Sequence, residues 1–337
     1  MKRIAAALMA LCLSATAMAE TTLDDVAARL KKGEYKGVTG ALVSVGGKLV
    51  LDVPDAAALA GSRQDIRSAT KSITAILVGE LIEDGSLKSV KTPVSKLLPD
   101  LYKGMDKADP RREITVEDLL TMRSGLACND WVPASLGNEE RMYGTSDWSA
   151  FVVGLPRAYE RGKHFSYCTG GAVLLGRVID ALSGSDVPTF ADERLFHPLG
   201  IRNAKWEGTP EGHTDTGGHL RLEIGALLKI GQLVHAGGVW EGKQLIAADW
   251  IKAMTGFQTR IFDRRETYGY LWWRNEGRVK DKPVSITYAH GNGGNFIIIV
   301  PEIDLVAAFT GRNYNKPEQF TPMRMLGEEI IPALLNE

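Results

Sequence analysis

A serine and a lysine stand three residues apart at Ser68 and Lys71, at the start of an apolar segment. On a helix the two side chains would lie on one face about one turn apart, so the amine can reach the hydroxyl. A lysine that accepts the serine proton creates a nucleophile with its own base, and the free N–H groups at a helix start suit a developing oxyanion. A helix-capping serine followed by a solvated lysine would show the same spacing, so the surrounding sequence has to separate the two interpretations.

The segment that carries this pair predicts a helix inside a domain, because its apolar residues cover nearly the whole helix circumference. These residues are Ile73, Ala75, Ile76, Leu77, Val78, Leu81 and Ile82. Gly85 predicts the end of the helix.

Two more stretches carry candidate chemistry. Tyr167 stands just before an apolar helical pattern, and the glycine-rich run 289–295 precedes an apolar strand, where a substrate carbonyl could approach the backbone.

Strand patterns occupy both ends of the chain, and helical patterns fill the middle. The predicted strands are 38–45, 48–53, 268–273, 284–288, 296–300 and 305–310. The predicted helices are 115–122, 171–182, 187–195, 222–235, 247–254 and 318–335. This order predicts an α/β (α+β) fold, in which one antiparallel sheet built from both chain ends is flanked by helices and a mainly helical lobe is inserted. We place the sheet lobe at about 20–85 and 266–337, the helical lobe at about 86–265, and a cleft between them.

Residues 1–19 have the layout of a cleavable secretory signal. Lys2 and Arg3 are followed by an apolar run over 4–13, too short to span a membrane, and by the small residues Ala17 and Ala19 ahead of Glu20. We therefore expect an exported protein, periplasmic or secreted. Removing the signal lowers Lys plus Arg from 40 to 38 against 41 Asp plus Glu, a net charge of −3 that gives no indication of a nucleic acid or an anionic membrane as partner.

Two cysteines remain in the mature chain, Cys128 and Cys168. In an oxidising compartment this pair predicts a disulfide, with two buried free thiols as the alternative.

His213, Asp215 and His219 have the residue types of metal ligands, but they lie in a loop-like segment without an H-E-x-x-H pattern, so we expect no metal. The sequence also lacks the G-x-S-x-G elbow and the phosphate-binding glycine motifs, and we expect no organic cofactor.

Four landmarks follow one another along the mature chain. They are the S-x-x-K pair at 68–71, the phrase L-L-T-M-R-S-G-L at 119–126, the tyrosine motif at 165–171, and the run G-N-G-G at 291–294 that leads into V-P-E at 300–302. In these motifs the chain resembles the serine β-lactamase and penicillin-binding-protein superfamily, in particular the β-lactamase-related branch with class C enzymes, esterases and 6-aminohexanoate-oligomer hydrolases. The resemblance covers essentially the whole mature chain and implies a β-lactamase/transpeptidase-like fold.

The resemblance also implies a role for each matching residue. Ser68 would attack a carbonyl and form an acyl-enzyme, while Lys71, kept neutral part of the time by desolvation and positive neighbours, would take its proton. Tyr167 would relay that proton to the leaving group and later help to activate water. The backbone N–H groups of Ser68 and Asn292 would form the oxyanion hole. The other predicted substrate contacts are His290, Gly291 and Thr169.

Two departures from the family pattern bear on the substrate. Thr169 stands where β-lactamases usually carry an asparagine, and Ala289 stands where the K-T-G motif would put a lysine for a substrate carboxylate. We therefore predict a serine hydrolase of a small ester, amide or peptide-like substrate. The alternatives are a β-lactamase or D-alanyl-D-alanine carboxypeptidase, and a non-catalytic penicillin-binding-like sensor. Trp131, Tyr143 and Trp148 would line an acyl pocket or pack in the core, and no motif indicates the oligomeric state.

Overall fold

The computed structural model describes residues 21–53 and 62–336, and the predicted signal peptide at 1–19 lies outside these ranges. The strands are β1 (Val38–Val45), β2 (Lys48–Val53), β3 (Gln64–Asp65), β4 (Arg221–Leu222), β5 (Val239–Trp240), β6 (Lys243–Gln244), β7 (Thr259–Arg260), β8 (Thr267–Tyr268), β9 (Trp273–Val279), β10 (Lys282–Gly291), β11 (Asn295–Val300) and β12 (Leu305–Gly311). The α-helices are α1 (Leu23–Lys31), α2 (Thr70–Glu83), α3 (Val94–Leu97), α4 (Val116–Leu120), α5 (Glu139–Tyr143), α6 (Trp148–Gly154), α7 (Thr169–Ser183), α8 (Val187–Ala191), α9 (Ile224–His235), α10 (Ala248–Thr255), α11 (Thr321–Met325) and α12 (Ile331–Asn336). Within the described ranges, no helix combines the length and the apolar character needed to cross a lipid bilayer.

One antiparallel sheet joins the two ends of the chain. Its strand order is β2-β1-β12-β11-β10-β9-β8-β7. The N-terminal strand β1 therefore pairs with the C-terminal strand β12, with Ala41 opposite Phe309. The two predicted strands 38–45 and 48–53 are found as β1 and β2, which form an antiparallel hairpin. The expected sheet built from both chain ends and flanked by helices is confirmed.

The central strands β11 and β12 are buried along their whole length because both faces of the sheet are covered. On one face α9 packs against them, and Gly231 allows the close approach, since a Cβ there would lie 2.6 Å from Val306 and 2.8 Å from Ile297. Successive residues of a strand point to opposite faces. On the other face Phe296 contacts Phe320 of the C-terminal segment, with ring centroids 6.4 Å apart.

Helix α2, which follows Ser68, is buried through most of its length. It packs against α7 and against Trp250 of α10, whose indole N–H donates to the carbonyl of Ala75 at 3.1 Å. Gly79 makes room for that indole, because a Cβ there would lie 2.2 Å from the ring. The apolar residues all round the predicted helix thus reflect its central position, and Gly85 follows its end with a φ of 76°.

Two predicted elements are interrupted in the structure. The predicted strand 268–273 is wrong for most of its length, because residues 269–272 form the turn between the end of β8 and the start of β9, where Leu271 has a φ of 57°. The predicted final helix 318–335 is divided into α11 and α12 by a wider π-type turn at Leu326–Ile330. Pro332 explains this turn, since proline lacks an N–H and its ring displaces the carbonyl four residues earlier.

Candidate active site

Ser68 lies on a 3₁₀ turn, Arg67–Ala69, that leads directly into α2. Lys71, on the first turn of α2, directs its amine back at the serine. Its Nζ donates to Ser68 Oγ at 3.0 Å and to the carbonyl of Gly217 at 2.5 Å. Because the lysine is only 1% exposed, it is a buried contact of the serine and not a solvated surface residue.

Tyr167 lies in the loop before α7 and completes the group around Ser68. The centroid of its ring is 5.1 Å from Lys71 Nζ. Burial raises the pKa of the Tyr167 phenol, while the charge of Lys71 and an interaction with the Ser68 hydroxyl partly offset this effect. The fold therefore brings the three residues together, and the phenol is protonated at neutral pH.

Three carboxylates surround the buried amine of Lys71, namely Asp130, Glu139 and Asp215. Burial alone would lower the pKa of Lys71, but the acidic groups around its amine, Tyr167 and the three carboxylates, outweigh this effect, so the net shift is upward. The expectation that positive neighbours keep Lys71 neutral is wrong, because its neighbours are acidic. Lys71 is an ammonium group in the resting site.

Asp130 and Asp215 are fixed beside the lysine by backbone contacts. Burial raises the pKa of each carboxyl group to about 6. Asp130 accepts a hydrogen bond from the N–H of Thr169 at 2.6 Å. Asp215 accepts from the N–H groups of Gly217 at 2.9 Å and Gly218 at 3.0 Å. Asp215 therefore shapes the loop whose carbonyl binds the lysine.

Thr169 contacts this acidic group. It is fully buried, and its hydroxyl donates to Glu139 Oε2 at 2.7 Å. The phenol of Tyr143 donates to the same oxygen at 3.4 Å. Glu139, at the start of α5, thus stands beside the position where β-lactamases usually carry an asparagine. The substrate contact of Thr169 stays a prediction, and Glu139 is a residue of the site that no local sequence pattern indicated.

The glycine-rich end of β10 lies directly against the Ser68 turn. A Cβ on Gly291 would lie 1.8 Å from the carbonyl of Ile66, so glycine is needed for this approach. Residues 289–291 pair with β11 on one side, but β9 pairs with β10 only as far as Tyr288, so among the described residues no strand covers the other side of 289–291. An extended substrate could lie along this open edge, next to the serine.

Asn292 follows this strand end in a hydrogen-bonded turn. Its side-chain amide donates to Asn315 Oδ1 at 2.7 Å, and its Oδ1 accepts from the backbone N–H of Asn315 at 2.8 Å. Its carbonyl accepts from Asn295 Nδ2 at 3.0 Å. Since the side chain is engaged in the turn, the backbone N–H is the group of Asn292 suited to an oxyanion, and this role stays a prediction.

His290 points away from Ser68. Gly291 faces the Ser68 turn, so its neighbour His290 lies on the opposite face of the sheet. There its ring packs on Phe296 and Phe320, with centroids 4.5 Å and 5.2 Å away. Burial lowers the pKa of the imidazole to about 4. His290 is a neutral packed residue, and its placement does not support the predicted substrate contact.

Aromatic rings form one wall of the site. The rings of Trp131 and Tyr167 are parallel within 6°, with centroids 5.4 Å apart, and Trp273 lies 5.8 Å from Tyr167. Tyr143 and Trp148 contact each other at 5.0 Å, and Trp148 is buried. Of the three candidate pocket residues, Trp131 therefore lines the site, Tyr143 adjoins its acidic group and Trp148 packs in the core.

The three candidate metal ligands do not come together. His213 Nδ1 is 2.9 Å from Asp180, and His219 Nδ1 is 3.1 Å from Asp65, while Asp215 belongs to the acidic group around the lysine. Over residues 21–53 and 62–336, no set of three or more His, Cys, Asp or Glu side chains is arranged to hold a metal ion.

Cys128 and Cys168 form a disulfide next to the site, with Sγ atoms 1.97 Å apart and Cα atoms 5.5 Å apart. Cys168 directly follows Tyr167, and the hydroxyl of Ser166 donates to the carbonyl of Cys128 at 2.5 Å. The N–H of Asp130 donates to the carbonyl of Tyr167 at 2.9 Å. The bridge thus joins the two segments that the sequence predicts, and it fixes the loop that carries the tyrosine.

A family model described as Beta-lactamase matches residues 23–326. The chain belongs to the Beta-lactamase family. Solved structures of similar fold include a Bacillus anthracis protein provisionally named a 6-aminohexanoate-dimer hydrolase, with a TM-score of 0.76 and 16% identity over 91% of this chain and 82% of that one. A D-stereospecific amidohydrolase from Streptomyces sp. aligns with a TM-score of 0.67 and 18% identity, over 90% of this chain and 96% of that one. At these identities the likeness shows the fold.

Among curated relatives of this Beta-lactamase family chain, lovastatin esterase from Penicillium rubens is 28% identical over 158 residues, which cover 42% of this chain and 39% of the relative. The chain spans only 34% to 39% of the length of the curated relatives it matches. The family and the fold predicted from four ordered motifs are confirmed.

Proposed function

We propose that this protein is a serine hydrolase that cleaves an ester or amide bond through an acyl-enzyme on Ser68. The observation that carries the proposal is the buried amine of Lys71, 3.0 Å from Ser68 Oγ, with the phenol of Tyr167 interacting with the same hydroxyl. Two groups able to exchange protons with one serine suit nucleophilic catalysis, and a binding protein has no need of them. Family membership and the hydrolase names of several relatives support this class.

In the acylation step, Ser68 Oγ bonds to the substrate carbonyl carbon and its proton passes to the neutral amine of Lys71. Tyr167 gives its proton to the leaving alcohol or amine as the bond to the carbonyl carbon breaks, and it regains a proton from the Lys71 ammonium. In the second step a water oxygen bonds to the acyl carbon and gives a proton to the same pair. The bond between that carbon and Ser68 Oγ then breaks, and Oγ takes the proton back from the pair, which releases the acid and restores Ser68. Backbone N–H groups at Ser68 and Asn292 would stabilise the oxyanion in both steps.

The substrate side of the proposal rests on Ala289, which stands where the K-T-G motif of the family would put a lysine. Ala289 is buried at the end of β10 and has no charge to offer a substrate carboxylate. An ester or amide therefore fits the site better than a penicillin or a peptide C-terminus.

The signal-like residues 1–19 and the disulfide between Cys128 and Cys168 support export to the periplasm or beyond, since disulfides persist in oxidising compartments.

The test is covalent labelling of the purified mature protein with a fluorophosphonate probe and with a fluorescent penicillin, followed by intact mass and by turnover of p-nitrophenyl acetate. We expect a fluorophosphonate adduct and ester turnover, both lost in Ser68→Ala. Lys71→Ala should lower the acylation rate about 10²- to 10⁴-fold while far-UV circular dichroism stays unchanged. A penicillin adduct would favour the lactam-directed alternative. Absence of labelling by both probes, together with an intact ester, would favour the non-catalytic sensor and contradict the proposal.

A further inference from the structure

Trp131 covers Tyr167 from the solvent side. Trp131 is 42% exposed and Tyr167 only 8%, and their parallel rings have centroids 5.4 Å apart. Trp273, which is 8% exposed, contacts the same tyrosine ring at 5.8 Å. One exposed indole and one buried indole therefore hold the ring of Tyr167.

Arg264 holds Trp131 in turn. Arg264 lies in the loop between β7 and β8, and its guanidinium carbon is 4.4 Å from the centroid of the Trp131 ring. The carboxylate of Glu266 is 3.9 Å away, and the guanidinium has no hydrogen-bond partner among the residues that the structure describes. Its main contact is the indole face, to which a cation is attracted electrostatically.

Backbone contacts fix the segment of Trp131 against the segment of Tyr167. The N–H of Asp130, the residue before Trp131, donates to the carbonyl of Tyr167 at 2.9 Å. The disulfide between Cys128 and Cys168 joins the same two segments. The backbone that carries the indole is therefore fixed relative to the backbone that carries the tyrosine.

We infer that Trp131 is a positioning residue for Tyr167, and that Arg264 acts through Trp131. The inference rests on the proposed function, in which the Tyr167 phenol gives a proton to the leaving group. Proton transfer requires the phenol within hydrogen-bond reach of the departing atom, and a displacement of about 1 Å costs much of the rate. Trp131 keeps the ring in one place and keeps water away from it.

Two acetate esters separate positioning from a general structural role. Ethanol needs a proton to leave, whereas 4-nitrophenolate leaves without one, and kcat/KM reports the acylation step for both. Trp131→Ala is expected to lower kcat/KM for ethyl acetate at least about tenfold more than for p-nitrophenyl acetate. Trp131→Phe, which keeps a flat ring on Tyr167, should stay near the wild type for both esters. Phe262→Ala, at an 80% exposed aromatic in the same loop as Arg264, is the matched control and should change neither.

Arg264→Gln tests whether Arg264 acts through Trp131. It also takes the place of Trp131→Ala if the alanine variant fails to fold. It is expected to lower kcat/KM for ethyl acetate about two- to fivefold, and to have no further effect when Trp131 is alanine, because it acts through that ring.

Equal losses on both esters, or an Arg264→Gln effect of the same size in both backgrounds, would overturn the inference and leave the proposed function intact. A wild-type protein that cleaves neither ester and takes no fluorophosphonate at Ser68 would reject the proposed function, and this inference with it.

Discussion

At the scale of single residues, the charge on Lys71 is the property that most affects the proposed chemistry. Its amine must be neutral to accept a proton, yet Asp130, Glu139 and Asp215 raise its pKa. In the proposed mechanism, acylation at neutral pH therefore depends on the part of the enzyme that carries a neutral Lys71. Glu139 is the best placed of these carboxylates for a test, because it is half-buried and its loss leaves the backbone contacts of the other two intact.

In a plot of kcat/KM against pH, Glu139→Gln is expected to move the range over which activity rises, the rising limb, to lower pH. Loss of the negative charge lowers the pKa of Lys71, so more enzyme carries the neutral amine at pH 7 to 8, and activity there should rise several-fold. The glutamine oxygen can still accept from the hydroxyl of Thr169. The measurement is kcat/KM for p-nitrophenyl acetate between pH 6 and 10, with Glu140→Gln at the exposed neighbouring position as control. An unmoved limb would show that Glu139 does not set the charge of Lys71.

At the scale of elements, two junctions build the site. The end of β10 meets the Ser68 turn through Gly291, and the disulfide joins the loop before α5 to the loop before α7. Each junction brings together segments far apart in sequence. Each can be altered without replacing a residue of the proposed proton relay.

Gly291→Ala is expected to lower the rate of fluorophosphonate labelling about 10²-fold or more. The added Cβ would lie 1.8 Å from the carbonyl of Ile66, so β10 and the Ser68 turn must move apart. Gly154→Ala is the matched control, because a Cβ there would meet no atom within 4 Å. Labelling of Gly291→Ala at the wild-type rate would mean that this junction does not determine the geometry around Ser68.

Replacing both Cys128 and Cys168 by serine is expected to lower the free energy of unfolding by about 3 to 4 kcal/mol, because the bridge closes a loop of 40 residues. The hydrogen bond between Asp130 and Tyr167 remains, so the folded variant should still be labelled at Ser68. Urea unfolding measures the loss, and a reductant should bring the wild type to the same midpoint. A wild-type midpoint that does not respond to reductant would show that the two thiols are free.

At the scale of the whole molecule, the sheet connects the two chain ends, and His290 lies where they meet. Its ring packs β10 and β11 against Phe320 of the C-terminal segment. Burial lowers the pKa of this imidazole to about 4, below the ordinary value near 6.5. Its contribution to stability is complete above about pH 6.5 and is lost as the pH falls toward 4, since the unfolded chain binds the proton first.

His290→Phe is expected to reduce the loss of stability between pH 6.5 and pH 4 by up to about 3 kcal/mol. The phenyl ring keeps the stacking on Phe296 and Phe320 and removes the group that titrates. Urea unfolding at several pH values, on wild type and variant, gives the difference directly. Equal pH slopes for the two proteins would show that His290 is not the group responsible.

The sequence by itself determined the features that depend on neighbouring residues. The apolar residues after Lys71 predicted the buried helix α2, the two strand patterns on either side of Gly46-Gly47 predicted β1 and β2, and the run 296–300 predicted a strand. The order of the motifs predicted the family. These features are local in the chain, so hydrophobic periodicity and turn chemistry are sufficient to identify them.

Only the tertiary structure decided the charge of Lys71 and the side of the sheet on which His290 lies. The carboxylates around the lysine come from two segments, 130–139 and the loop at 215, and no local pattern indicates that these segments meet at Lys71. The direction of His290 follows from the register that sets Gly291 against the Ser68 turn. The physical reason is that electrostatic and packing effects depend on distance in space, whereas local patterns report distance along the chain.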